Sequence, residues 1–120
     1  MKWEKAPERN IEILALVTRV VPEAERKLVF GYPAYFLNGH MFAGTHQSDI
    51  ILRLSDEDRA DFLERTGAGL FYPMPGKPMK EYVVVPPAVY GSEADFGQWL
   101  IKSRDHILTL APKEKRKGRG

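Results

Sequence analysis

The sequence predicts a single α+β domain, an antiparallel sheet of about five strands flanked by helices. Three observations carry this. Helical periodicity marks the beginning, the middle and the end of the chain, and strand-forming runs fill the stretches between. Those runs arrive in groups joined by short turns, the pattern of an antiparallel meander and not of strands alternating singly with helices. The composition is that of a self-sufficient globule: 120 residues, 43% apolar, 28% charged and no cysteine.

The elements follow in order. Pro7 opens a helical pattern, as proline does at a first helical position. Ile11, Leu14, Ala15, Thr18 and Val21 form its apolar stripe, widened by Ile13, Leu16, Val17 and Val20, until Pro22 stops it. Leu28-Val29-Phe30 and Ala34-Tyr35-Phe36-Leu37 are strand-forming runs broken by Gly31 and Pro33. Asn38-Gly39 then marks a two-residue hairpin turn, because a type I′ turn needs positive φ at both central positions. That turn sets Leu37 opposite His40, Phe36 opposite Met41 and Tyr35 opposite Phe42. Gln47-Ser48 turns the chain again into the strand from Asp49 to Leu54.

Ser55 caps a helix whose acidic start, Asp56-Glu57-Asp58, complements the dipole, and Gly67 ends it. Gly69 to Tyr72 and Glu81 to Val85 are the next two strands, joined around the Pro73-Met74-Pro75-Gly76-Lys77-Pro78 turn. Ser92 caps the last helix, which carries Phe96, Leu100, Ser103, Ile107 and Leu110 on one stripe with Trp99 beside it, and Pro112 closes it. The predicted order is α-β-β-β-α-β-β-α. The first and last helices are expected on the sheet, and the short middle helix at an edge or end.

The pattern resembles a known family. The segment Arg26-Lys27-Leu28-Val29-Phe30-Gly31-Tyr32-Pro33-Ala34-Tyr35-Phe36-Leu37-Asn38-Gly39-His40-Met41-Phe42-Ala43 resembles the aromatic, glycine-punctuated first hairpin of the TfoX N-terminal domain. Pro75-Gly76-Lys77-Pro78-Met79-Lys80-Glu81-Tyr82-Val83-Val84-Val85-Pro86 is similar to that family's tyrosine-containing strand, and the final helix sits where the family places its own. Val20-Val21-Pro22-Glu23-Ala24-Glu25-Arg26 and Tyr32-Pro33-Ala34-Tyr35 also resemble the YdhG-like small α+β domains. The resemblance implies this fold and an interaction or regulatory module, and it implies no catalytic residue and no cofactor. Competence regulators of the family carry a second helical domain where this chain shows a basic tail.

Charge divides the chain into a domain, residues 1–112, and a tail, residues 113–120. The tail holds Lys113, Lys115, Arg116, Lys117 and Arg119 against one glutamate, a net +4 beside +2 for the whole chain, so the body stands at −2. A near-neutral body argues against a phosphate-binding surface and leaves nucleic acid or an acidic partner only to the tail. The first apolar stretch is interrupted by Glu12, Thr18 and Arg19 and is too short and polar for a membrane span. A cytoplasmic protein is expected.

Catalytic and metal chemistry find no motif. His40, His46 and His106 have no ligand spacing, although His40 and His46 could meet near the hairpin with Asp49. Gly67-Ala68-Gly69 follows a helix, the reverse of a dinucleotide loop. Asp56, Glu57, Asp58 and Asp61 have Arg59 and Arg65 as neighbours and fit surface ion pairs.

The aromatic series Phe30, Tyr32, Tyr35, Phe36, Phe42, Phe71 and Tyr72 is the most informative. Tyr35 and Phe42 are expected on one sheet face and Phe36 and Met41 on the other, so both faces carry large apolar groups. Either helices cover one face and part of the other, or one face stays open. An open face would serve as a protein interface, including one between two copies, or as a small-ligand pocket around Tyr32, Tyr35 and Tyr82. Lys27, Arg53, Lys77 and Lys80 are too few to make it a stacking platform for single-stranded nucleic acid.

Overall fold

The computed structural model describes residues 6–112. The elements are α1 (Glu8–Leu14), α2 (Val17–Val20), β1 (Glu25–Val29), β2 (Tyr32–Leu37), β3 (His40–His46), β4 (Asp49–Arg53), α3 (Asp56–Thr66), β5 (Leu70–Met74), β6 (Lys77–Val84), α4 (Pro87–Tyr90) and α5 (Glu93–Leu108). The strands make one antiparallel sheet in the order β1-β2-β3-β4-β6-β5. It has six strands, one more than expected from sequence. The runs Leu28-Val29-Phe30 and Ala34-Tyr35-Phe36-Leu37, read from sequence as one broken strand, are two: β2, and β1, an edge strand that begins at Glu25 and is exposed along nearly its whole length. Its Glu25-Arg26-Lys27 start carries no apolar alternation because neither side of it meets a core.

Three tight turns set the meander. Asn38 and Gly39 both have positive φ, 53° and 82°, and Leu37 pairs with His40 and Phe36 with Met41 as the turn requires. A bulge between Tyr35 and Phe36 then moves Tyr35 opposite Ala43, where the uninterrupted register placed Phe42. Phe30 and Gly31 repeat the Asn38–Gly39 geometry at φ 54° and 85°.

The first helical stretch is two short helices. Around residues 15–19 the backbone tightens to bonds reaching three residues back, Leu16 to Ile13, Thr18 to Ala15 and Arg19 to Leu16. Thr18 Oγ1 also donates to the Ala15 carbonyl at 2.8 Å, and such back-bonding bends helices. The later helices start as expected: Ser55 Oγ accepts from the Asp58 amide at 3.1 Å, and Ser92 Oγ from that of Asp95 at 3.2 Å. Gly67 ends α3 in the left-handed region at φ 71°.

The helices pack on one face of the sheet. Leu14, Val17 and Val21 from the first stretch, Phe62 of α3, and Phe96, Leu100 and Ile107 of α5 meet Tyr35, Leu37, Phe42, Ile50, Leu52 and Val83 of the strands. Phe42, Phe62 and Phe96 are fully buried, each contributing roughly 1.5–3 kcal/mol. Phe62 meets Trp99 edge-on, with ring centroids 4.8 Å apart, so the middle helix joins this core. No described helix is long and apolar enough to cross a membrane.

Candidate functional site

Strand alternation sends a second set of side chains to the other face. Opposite residues of antiparallel strands share a face, so the register Ala34–Gly44–Ile51–Val84 is one row across it. Ile51, Phe71 and Tyr82 are buried there, with Met41, Met79 and Val84 packed around them. No described helix lies above them, and the sheet curls around them. Between the Leu70–Val83 and Phe71–Met79 pairs, β6 carries extra residues, and a second shift follows before Met74 meets Lys77. Bulges bend the strand that carries them. His46 of β3 and Phe71 of β5 stand three strands apart, about 14 Å in a flat sheet. Their ring centroids lie 5.1 Å apart.

The curl encloses a hollow of about 210 Å³. Ala34 and Ile51 line its floor, and a Cβ built on Gly44 would lie 3.3 Å from that of Ala34, so small residues leave the space. Tyr32, His46 and Phe71 form an aromatic wall, Tyr32 and His46 at 5.3 Å, while Met41 and Met79 supply adaptable thioethers. Val29, Phe30 and Pro73 complete the rim. Phe30 is 84% exposed. On the edge strand β5, Tyr72 and Met74 are each 52% exposed. Left-handed geometry is unusual for a bulky side chain, so Phe30 is held at a strained φ.

The three tyrosines expected to form a pocket are divided by this arrangement. Tyr32 lines the hollow. Tyr82 lies next to it on the same face, where its hydroxyl donates to the Met41 carbonyl at 2.7 Å. Burial pushes its phenol up, partly countered by the nearby Arg53 charge. Tyr35 is in the helix-side core, 3% exposed, and takes no part in the hollow. Phe42 joins it in that core, while Phe36 stacks under the Lys27 ammonium at 4.9 Å. Met41 was legible as a residue of the second face. Phe71, Pro73 and Met79 were not, because only the bent β5–β6 hairpin brings them over it.

The histidines separate as well. His46 stands opposite Asp49, whose carboxyl is raised by burial and partly brought back by attraction to that ring. His40 lies at the far end of β3, its Nε2 within 2.8 Å of the Ala111 carbonyl and its Nδ1 3.5 Å from the Arg53 guanidinium. Since arginine only donates, Nδ1 accepts and Nε2 donates. Among the described residues no three His, Asp or Glu side chains gather as a metal site. The acidic start of α3 forms the expected ion pairs, Arg59 with Asp56 and Arg65 with Asp61, both at 2.8 Å. Lys113, Lys115, Arg116, Lys117 and Arg119 lie outside the described residues.

A larger cleft of about 580 Å³ lies on the helical side, between the first helices and the start of α5. Its walls include Arg9, Glu12 and the Arg19–Glu93 pair at 3.1 Å. Ser92 caps α5 and acidic Glu93 and Asp95 already stand at its positive end, so the helix terminus itself offers no site for an anion. The apolar hollow is the better-formed site.

Helices on one face and an apolar hollow on the other define a small α+β domain with a concave, strand-built surface. The chain belongs to the TfoX N-terminal domain family, whose model matches residues 15–107. No curated protein and no solved structure matches it significantly.

Proposed function

We propose that this chain is a non-enzymatic protein-interaction module that seats an apolar side chain of a partner protein in the hollow of its concave sheet face. The observation that carries this is the hollow itself, built from Ile51, Phe71, Met41 and Met79 and rimmed by the exposed, strained Phe30. Apolar surface left outside a core on a small domain marks binding, and backbone strain at its rim is what a functional constraint looks like. At about 210 Å³ the space is below the roughly 300 Å³ of typical small-molecule pockets, and suits one anchoring side chain. The near-absence of charge on its walls speaks for shape and burial over acid–base chemistry. A chain without cysteine is compatible with a reducing compartment, and the reading is of a cytoplasmic protein.

The test is selection of a random peptide library on the purified protein. Selected peptides should share an aromatic or large aliphatic anchor, and their binding should be lost in Ala34→Leu, which fills the floor of the hollow. Binding that survives in a folded Ala34→Leu protein would refute the reading. A solution mass that rises with concentration and falls back in Ala34→Leu would make a second copy the partner. A small aromatic molecule in the same hollow is the second reading, favoured by the enclosing rings of Tyr32, His46 and Phe71.

A further inference from the structure

We infer that two copies of this chain join through their β1 strands, antiparallel about a two-fold axis at Arg26, so that two six-stranded sheets become one. The inference stands apart from the hollow and rests on a different part of the sheet.

The two edges of the sheet are not alike. On β5, Pro73 lacks an N–H, and the register to β6 shifts twice; both features deter a further strand. β1 runs Glu25-Arg26-Lys27-Leu28-Val29 without proline and without a shift in its register to β2. Among the described residues no strand pairs with its outer side. Val29 and Tyr32 flank the two-residue turn and bond to each other across it. By the alternation of an antiparallel ladder, Arg26 and Leu28 then turn their N–H and C=O groups outward. The Leu28 side chain is 63% exposed beside them.

Charges on an edge strand ordinarily hold other strands off. Here their order selects the strand that is accepted. Opposite residues share a face and successive ones alternate, so a symmetric seam that continues the sheet is centred on a residue and not between two. Centred on Glu25 or Lys27, it sets like charges directly opposite each other at the closer spacing. Centred on Leu28 or Val29, it runs into Phe30, which has left the strand for the turn.

Arg26 is the centre that remains. Glu25 and Lys27 lie on one face, 3.8 Å apart within the strand. About Arg26 each Glu25 meets the second copy's Lys27, and each exposed Leu28 meets the second copy's Ala24. The like pair, Arg26 with Arg26, falls where Cα atoms are about 5.5 Å apart, against about 4.5 Å for the Glu25–Lys27 pairs. Two close attractions and two apolar contacts outweigh one wider repulsion.

The seam puts both concave faces on one side of the joined sheet. Val29 of each hollow's rim lies three residues from the axis, so the two rims are about 20 Å apart. On the reading of the hollow as an anchor pocket, a partner with two anchors at that spacing binds both at once.

The test is the solution mass of the whole chain, by sedimentation equilibrium over a range of concentrations. Wild type should pass from monomer to dimer as concentration rises. The Glu25 and Lys27 side chains are 68% and 47% exposed, so charge variants there keep the fold. Lys27→Glu and Glu25→Lys should each weaken association roughly tenfold or more, and the two together should restore it to within about threefold. Arg26→Thr should tighten it by removing the like pair. Ala34→Leu should leave it unchanged. A monomer at every concentration overturns the inference, as does a dimer that Lys27→Glu does not weaken. A dimer lost in Ala34→Leu but kept in Lys27→Glu moves the contact to the hollow, which overturns the seam and leaves the anchor pocket standing.

Discussion

The Tyr82 hydroxyl donates to the carbonyl of Met41 at 2.7 Å, fastening β6 to β3 across the intervening strand β4. The bond lies on the concave face, and it is one reason that face keeps its curl. Tyr82→Phe should keep the fold and lose about 1 kcal/mol in denaturant unfolding. Its phenol is raised above the ordinary 10.0 by burial, so folding holds a proton there. The corresponding stability is complete below pH 10 and lost as pH rises through the folded-state value. An alkaline unfolding profile should therefore fall earlier for wild type than for Tyr82→Phe.

Phe30 occupies a turn position that asparagine fills at the equivalent Asn38. Left-handed φ costs an L-residue with a full side chain roughly 1–2 kcal/mol, less for asparagine. Phe30→Asn should stabilise the domain by about 1 kcal/mol in thermal or urea unfolding while weakening selected peptides. A gain in stability with no loss of binding would show that the ring plays no part in docking.

Asp49 is raised from its ordinary 3.8 mainly by burial. A carboxyl raised on folding favours the native state while it is protonated, and that contribution is lost as pH rises through the folded-state value. Asp49→Asn, which cannot ionise, should raise the melting temperature at pH 7 and have little effect at pH 3. Melting curves at the two pH values decide it.

Phe62→Ala should cost roughly 3–5 kcal/mol, because it removes a fully buried ring and leaves Trp99 without its edge-on neighbour. The loss should appear in urea unfolding as a lower midpoint with an unchanged slope. A cost near zero would mean that α3 is dispensable to the core.

Much of this fold was legible because its signals are local. The Ser55 and Ser92 caps, the Gly67 stop and the Asn38-Gly39 turn each specify their backbone within a few residues. The stripe of Phe96, Leu100, Ser103 and Ile107 is buried as its spacing required. What escaped depends on distant partners. The polar start of β1 forms a strand only because β2 offers an edge, and the first helical run breaks at Ala15–Leu16 although its apolar pattern continues. Tyr35 and Tyr32 look alike in sequence, yet pleating sends one into the helix-side core and the other to the hollow. The hollow itself comes from a bend in β6 that no turn residue announces.

Four of the five strand pairings join neighbours in the chain. The exception is β4 against β6, which must close across α3 and β5. Contacts between chain neighbours form quickly, and those that span a long loop wait on its closure entropy. The β1-to-β4 meander and the β5–β6 hairpin are thus two locally encoded halves, joined through Ile51, Leu52 and Arg53 meeting Val84, Val83 and Tyr82. Substitutions along that seam should slow folding, whereas equally destabilising changes at the β1 edge should chiefly hasten unfolding.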